Sequence, residues 1–176
     1  DVFNKNIKEL YPETFDNSLS DDLVYTGSKN IKDKVENSPL NAGKLVLSPT
    51  RTYAPILNEV FNNIGRNNIN GIIHCSGGAQ TKILHFIDNL HIIKDNLFDI
   101  PPVFELIQAE SSTEWREMYQ VFNMGHRMEL YVDEKFADEI IKTSKSFDVD
   151  AKIIGRVQSS NEKKLTISSK YGTFEY

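Results

Sequence analysis

Residues 71–79 read GIIHCSGGA and set an imidazole, a thiol, a hydroxyl and two consecutive glycines side by side. Consecutive glycines let backbone N–H groups approach a ligand closely. A helix beginning just beyond them adds free donors and a positive dipole end. Ser76 adds a hydroxyl, and His74 a proton donor or an orienting group. Together Ser76, Gly77 and Gly78 suit a phosphate or another anion. The string is neither a Walker loop nor GxGxxG, and it also serves as a tight strand-to-helix turn with no ligand. A lone His74 is equally at home as a core histidine with both nitrogens satisfied.

Two other polar stretches stand where strands and helices should meet. In SPTRTYAP (48–55), Thr50 offers a hydroxyl at a helix start and Arg51 a forked donor that matches phosphate; Arg51 could instead pair with a local carboxylate. In residues 123–127, Asn123 offers an amide for a sugar hydroxyl or a base edge, or else caps a turn with Gly125. The three stretches could lie at one edge of a sheet. Carboxylates are plentiful but form no spaced metal cluster, and Asp21–Asp22 reads as a solvated turn.

The elements that would position these groups follow from periodicity. Residues 2–10 have a short helical pattern that Pro12 ends, and 13–42 read as polar and irregular with a short strand near 23–25. Residues 44–47 read as a strand. Ile56, Leu57, Val60, Phe61 and Ile64 give a helix closed by Gly65. Ile72–Ile73 form a buried strand, and Ile83, Leu84 and Ile87 one face of the helix after the glycines. A strand at 91–93 precedes a helix opened by Pro101–Pro102. Thr113 caps a helix carrying Trp115, Met118, Tyr119 and Phe122. Met128, Leu130 and Val132 alternate as a half-buried strand. A helix over 136–147 leads to strands at 151–157 and 165–167, joined by a hairpin turn at 159–162. The pattern predicts a mixed sheet with helices packed on it, an α/β (α+β) domain.

Composition removes several function classes. The 176 residues carry a net charge of −5, which argues against a general nucleic-acid or membrane-surface role. No apolar run is long enough to span a bilayer, and the start has no signal-peptide pattern. Cys75 is the single cysteine, so neither an internal disulfide nor a Cys-based zinc site is available, and a cytoplasmic setting is expected. The chain starts at Asp1 instead of Met, which reads as a fragment of a longer protein.

Four motifs in order carry a resemblance: LSPTRTYAPIL (47–57), IIHCSGGA (72–79), EMYQVFNMGHRM (117–128) and IIGRV (153–157). Together they resemble the C-terminal domain of aminoimidazole ribonucleotide (AIR) synthetase, or phosphoribosylformylglycinamidine cyclo-ligase, the PurM family. Its pattern is Pro-Thr-Arg, His-x-Thr-Gly-Gly-Gly, Glu-Met-Tyr-x-x-Phe-Asn-x-Gly-x-Gly-Met, then Ile-Gly. Residues 44–176 carry the likeness, and 1–43 read as a polar extension with the tail of a preceding helix. Ser76 stands for the usual Thr, Ala79 for the third glycine and Arg127 for a glycine.

The resemblance implies a three-layer α/β/α domain with a mixed sheet and partly ferredoxin-like topology. It implies ATP-dependent ring closure of formylglycinamidine ribonucleotide in purine biosynthesis. ATP and Mg²⁺ would be bound mainly by an N-terminal domain outside this sequence, the enzyme would be a homodimer, and this chain alone would be inactive. Thr50, Arg51, Ser76, Gly77, Gly78, Asn123, Gly125 and Arg127 become substrate- or phosphate-binding candidates and His74 a catalytic one, with no metal ligand here. The alternatives are the equivalent domain of formylglycinamidine ribonucleotide synthetase or of a related small-molecule kinase, and a non-catalytic anion-binding module.

Overall fold

The strand Ile69–His74 (β1) finds its partner far along the chain, in Met128–Val132 (β3), with Ile72 opposite Leu130 and His74 opposite Met128. These two antiparallel strands form a sheet of their own in the computed structural model, which describes residues 2–49 and 51–176. A second sheet has four strands in the order β4–β2–β5–β6, formed by Gly155–Ser159, Leu90–Lys94, Lys164–Ser169 and Gly172–Glu175. Within it β2 runs antiparallel to β4 and parallel to β5, so the sheet is mixed, as expected. The fold is mixed α/β.

The chain divides into two compact units, Asp1–Thr50 with Ile100–Met118, and Arg51–Asp99 with Tyr119–Tyr176. The second unit holds both sheets. Ala54–Ile64 (α3) presents Ile56, Val60 and Ile64, one residue per turn, as a buried ridge. Ile69 of β1, Leu130 of β3 and Phe136, Ile140 and Val149 around Ala137–Ser146 (α6) pack against that ridge. Burying each such aliphatic side chain contributes about 1.5–3 kcal/mol. Leu165 and Ile167 of β5 are fully buried.

In the first unit, Val2–Asn4 lies along residues 27–29 through three backbone hydrogen bonds of 3.0–3.1 Å. Ser28 donates its N–H and its hydroxyl to the Glu110 carboxylate at 2.6 and 2.7 Å, which ties that stretch to helix Pro102–Ser111 (α4). Asn6–Leu10 (α1) and Ala42–Val46 (α2) are single turns. In Trp115–Val121 (α5), Met118 and Tyr119 are buried.

Several local expectations are corrected. Residues 44–47 are not a strand: the Asn41 side chain accepts the Lys44 N–H at 2.9 Å and starts α2. No strand forms at 23–25, where Tyr25 has a φ of 55°. The Thr113 hydroxyl, just ahead of α5, pairs with Ser111 at 2.7 Å. The helix after the glycines is a 3₁₀ helix, Ala79–His85. The strand expected at 151–157 begins only at Gly155, because the Ile154 carbonyl is taken by the N–H groups of Asp95 and Asn96 at 3.1 Å. The turn at 159–162 closes no hairpin, since β2 lies between β4 and β5; the hairpin is β5–β6.

Gly155, the glycine of IIGRV, sits opposite Lys94, and an added Cβ would overlap the Ile93 carbonyl oxygen and come within 2.9 Å of Lys94 Cα. Backbone cannot yield as a side-chain tip can. Gly155→Ala should therefore separate β4 from β2 and destabilise the protein by about 3 kcal/mol or more. Urea unfolding monitored by circular dichroism reads that loss directly.

Candidate functional site

Pairing of β1 with β3 sets the ends of two loops together. Beyond His74 and Met128, the Cys75 N–H donates to the Arg127 carbonyl at 2.9 Å. The stretches 74–78 and 123–127 are therefore neighbours, as the sequence anticipated. His74 ends β1 with an exposed side chain, so it is not a core histidine. Ser76 and Gly77 are exposed and Gly78 is half-buried with a φ of 81°. Ala79 comes next at a φ of 43°, so it takes a left-handed conformation despite its side chain.

In the other loop, Asn123 Oδ1 accepts the Gly125 N–H at 3.0 Å and its carbonyl accepts the His126 N–H at 2.9 Å. Gly125 turns the chain at a φ of 94°, and Arg127 is half-buried. The Asn123 side chain thus caps its own turn. Arg51 is exposed just ahead of α3, in the same compact unit, and among the described residues nothing bonds it to either loop. Thr50 lies outside the described residues.

A buried polar chain holds both loops from beneath. Lys94, the last residue of β2, donates to Glu129 Oε1 at 2.6 Å and to the Gln80 carbonyl at 2.8 Å. Tyr131 donates to Glu129 Oε2 at 2.7 Å, and Gln80 donates through Nε2 to the Asn123 carbonyl at 3.2 Å. Lys94 and Glu129 are only 1% and 5% exposed. Burial, then the Glu129 charge, pushes the Tyr131 hydroxyl well above the usual tyrosine range. Burial pushes the Cys75 thiol up to about 12, with Glu129 adding to the shift. Cys75 is therefore a protonated packing group and no nucleophile.

Sequence reasoning missed this chain, and with it Lys82, whose ammonium donates to Ser76 Oγ at 2.9 Å and to the His74 carbonyl at 3.2 Å. The signal for Lys94 was available: it shares the period of buried Ile92. Glu129 alternates with Leu130 in a strand read as half-buried, yet both faces are covered.

His126 was also missed. Its Nε2 accepts the Phe98 N–H at 3.1 Å, and the two rings meet edge to face with centroids 5.3 Å apart. Nε2 is thereby the unprotonated nitrogen. Burial, reinforced by Lys94 and Lys152, lowers its pKa from 6.5 to about 3. A neutral histidine thus fastens the 123–127 turn to the chain after β2.

The family described as AIR synthase related protein, C-terminal domain, matches residues 25–168. The chain belongs to that family. Among curated relatives named phosphoribosylformylglycinamidine cyclo-ligase, the Syntrophus aciditrophicus protein is 32% identical over 86% of this chain and 44% of its own length. The Methanocaldococcus jannaschii protein is 34% identical over 72% of this chain and 37% of its own length. That of Methanopyrus kandleri is 35% identical over 64% of this chain and 32% of its own length. The chain thus spans less than half the length of these relatives. The AIR synthase match begins at residue 25, inside the polar stretch before Lys44.

Two outcomes check the buried groups. Lys94→Met leaves the Glu129 carboxylate buried without its counter-charge, and should cost about 3–5 kcal/mol in thermal or urea unfolding. His126 generates a pH dependence. Between pH 6.5 and about 3 the unfolded chain binds a proton that the folded imidazole refuses. Its stabilising contribution is complete above that window and falls with pH inside it, by at most about 1.4 kcal/mol per unit. In His126→Gln, whose amide oxygen can still accept from Phe98, melting temperature plotted against pH should be flatter from 6.5 to 4.

Proposed function

We propose that this chain is the C-terminal part of a phosphoribosylformylglycinamidine cyclo-ligase, and that its share of the work is to hold the phosphate of the ribonucleotide. The observation that carries the reading is the loop at 76–78. Among the described residues, the N–H groups of Gly77 and Gly78 have no hydrogen-bond partner. Successive free N–H groups in a turn make a concave anion site. The seven-residue 3₁₀ helix beyond it adds no useful dipole, so the anticipated helix contribution is replaced by the turn itself.

The wider roles come from the same assignment. Arg51 and Thr50 supply further phosphate contacts ahead of α3, and Arg127 a second cation beside the glycine loop. Asn123 and Gly125 shape the facing turn. His74 would orient or protonate substrate, a role that its exposure at the end of β1 supports. ATP drives the ring closure, leaving as ADP and phosphate while the formyl oxygen departs with the phosphate. Among the described residues no three His, Cys, Asp or Glu side chains gather as a metal site, so no step is assigned here to Mg²⁺. ATP and Mg²⁺ belong, in this proposal, to an N-terminal domain of the same enzyme, which functions as a homodimer in the cytoplasm. Among the described residues no helix is long and apolar enough to cross a membrane.

The test is ATP-dependent formation of aminoimidazole ribonucleotide by the full-length enzyme containing this sequence. Arg51→Ala should raise KM for the ribonucleotide by the worth of one charge-assisted contact, about 1.5–3 kcal/mol, with little change in melting temperature. Arg51→Lys should recover only part of the affinity, because lysine lacks the planar fork. A sharp drop in melting temperature at constant KM would instead mark Arg51 as a structural ion-pair partner. Gly77→Ala gives a second measurement. Gly77 has no positive φ to protect, and an added Cβ would meet nothing within 4 Å. The substitution should leave stability within about 1 kcal/mol of the parent while raising KM.

A further inference from the structure

Lys82 is half-buried, and its stem packs beside Gly78: a Cβ on that glycine would touch Lys82 Cβ at 3.5 Å. Its ammonium crosses back over the loop to Ser76 Oγ and the His74 carbonyl. Lys82 therefore contacts the residues on both sides of Gly77. An ammonium has three N–H donors, and the loop uses two. Among the described residues no carboxylate comes within ion-pair distance of this lysine.

The same contacts decide where the Ser76 hydrogen can go. Ser76 Oγ accepts from Lys82, and among the described residues its own hydrogen has as acceptor the His74 carbonyl at 3.4 Å. That carbonyl already accepts the Ser76 N–H at 2.8 Å and the Lys82 ammonium at 3.2 Å. The Ser76 hydroxyl is thus a donor with no good acceptor, next to an ammonium with an unspent donor and two glycines with unspent N–H groups. Open space lies beside Gly77. Three unspent N–H donors, a weakly held hydroxyl and one positive charge fit a dianionic phosphoryl group.

We infer that Lys82 is the charged group of this loop, binding a phosphate or phosphomonoester directly while holding Ser76 as a donor to it. The inference rests on the anion-binding reading of the 76–78 turn and adds the residue that supplies its charge. In a chain of net charge −5, neutral donors alone would face a repulsive background. Because Lys82 is already held by two hydrogen bonds, it has little side-chain freedom left to lose when the anion arrives.

The test is titration of the ¹⁵N-labelled chain with inorganic phosphate, following the Gly77 and Gly78 amide resonances. The parent chain should show saturable shifts at both glycines. Lys82→Gln keeps an N–H donor on the side chain but no charge, and should bind phosphate about ten- to a hundredfold more weakly. Lys82→Arg keeps the charge and should bind within about threefold of the parent, showing that the loss is not a folding defect. Saturable shifts with the same affinity in Lys82→Gln would overturn the inference and leave the anion loop standing. Absence of shifts at Gly77 and Gly78 in the parent chain would overturn both together. If Lys82→Gln does not fold, Lys82→Arg decides: a folded Lys82→Arg protein without phosphate-dependent glycine shifts, beside a parent that has them, overturns the role of charge.

Discussion

The Lys94–Glu129 ion pair, 2.6 Å long and out of contact with water, is the interaction on which the second unit depends. It joins the end of β2 in the four-stranded sheet to β3 in the two-stranded one. Removing two charges from water is costly, and the pair is tolerable only because its remaining hydrogen-bonding capacity is used. Tyr131 fills the second carboxylate oxygen, and the Gln80 carbonyl takes another lysine proton. Through Gln80 the chain of bonds reaches Asn123 in the second loop. One buried charge pair thus sets the spacing of both loops, and its negative charge adds to the burial that keeps the thiol of Cys75 protonated.

Glycine does three different jobs in this structure. Gly155 is required by another backbone: the strand beside it leaves no room for a Cβ. Gly78 is required by its own φ of 81°. Gly77 is required by neither, which is why its bareness points outward, to whatever approaches the loop. The motifs that marked the family therefore mix residues serving the sheet with residues facing solvent, and only geometry separates the two kinds.

Much was legible in the sequence wherever the information is local. The spacing of Ile56, Val60 and Ile64, the glycine closing α3, and the alternation in β3 each depend on neighbours within a few residues. The proximity of the 74–78 and 123–127 stretches could also be anticipated, since each borders a strand. What stayed hidden depends on partners remote in sequence. A turn at 159–162 looks like a hairpin until β2 is known to lie between its strands. Asn41 outweighs the strand-like look of Leu45, Val46 and Leu47 through a single capping bond. Lys94, Glu129 and His126 carry a charge or an imidazole, residue types that are mostly exposed, so nothing local marks them as buried. Their burial is intelligible only once each has its partner, and each partner lies about 30 residues or more away.

The pairing of strands across long stretches of chain has a consequence for how the protein comes into being. Ile72 waits for Leu130, and Ile92 for Val157 and Leu165. During synthesis β1 and β2 leave the ribosome with their edges bare and remain so until most of the downstream chain has emerged. Helix α3, whose ridge needs the strands beneath it and α6 beside it, waits as well. Such topology folds slowly and exposes apolar edges to other nascent chains. For this protein translation speed and chaperone supply will govern yield more than the stability of the finished fold does.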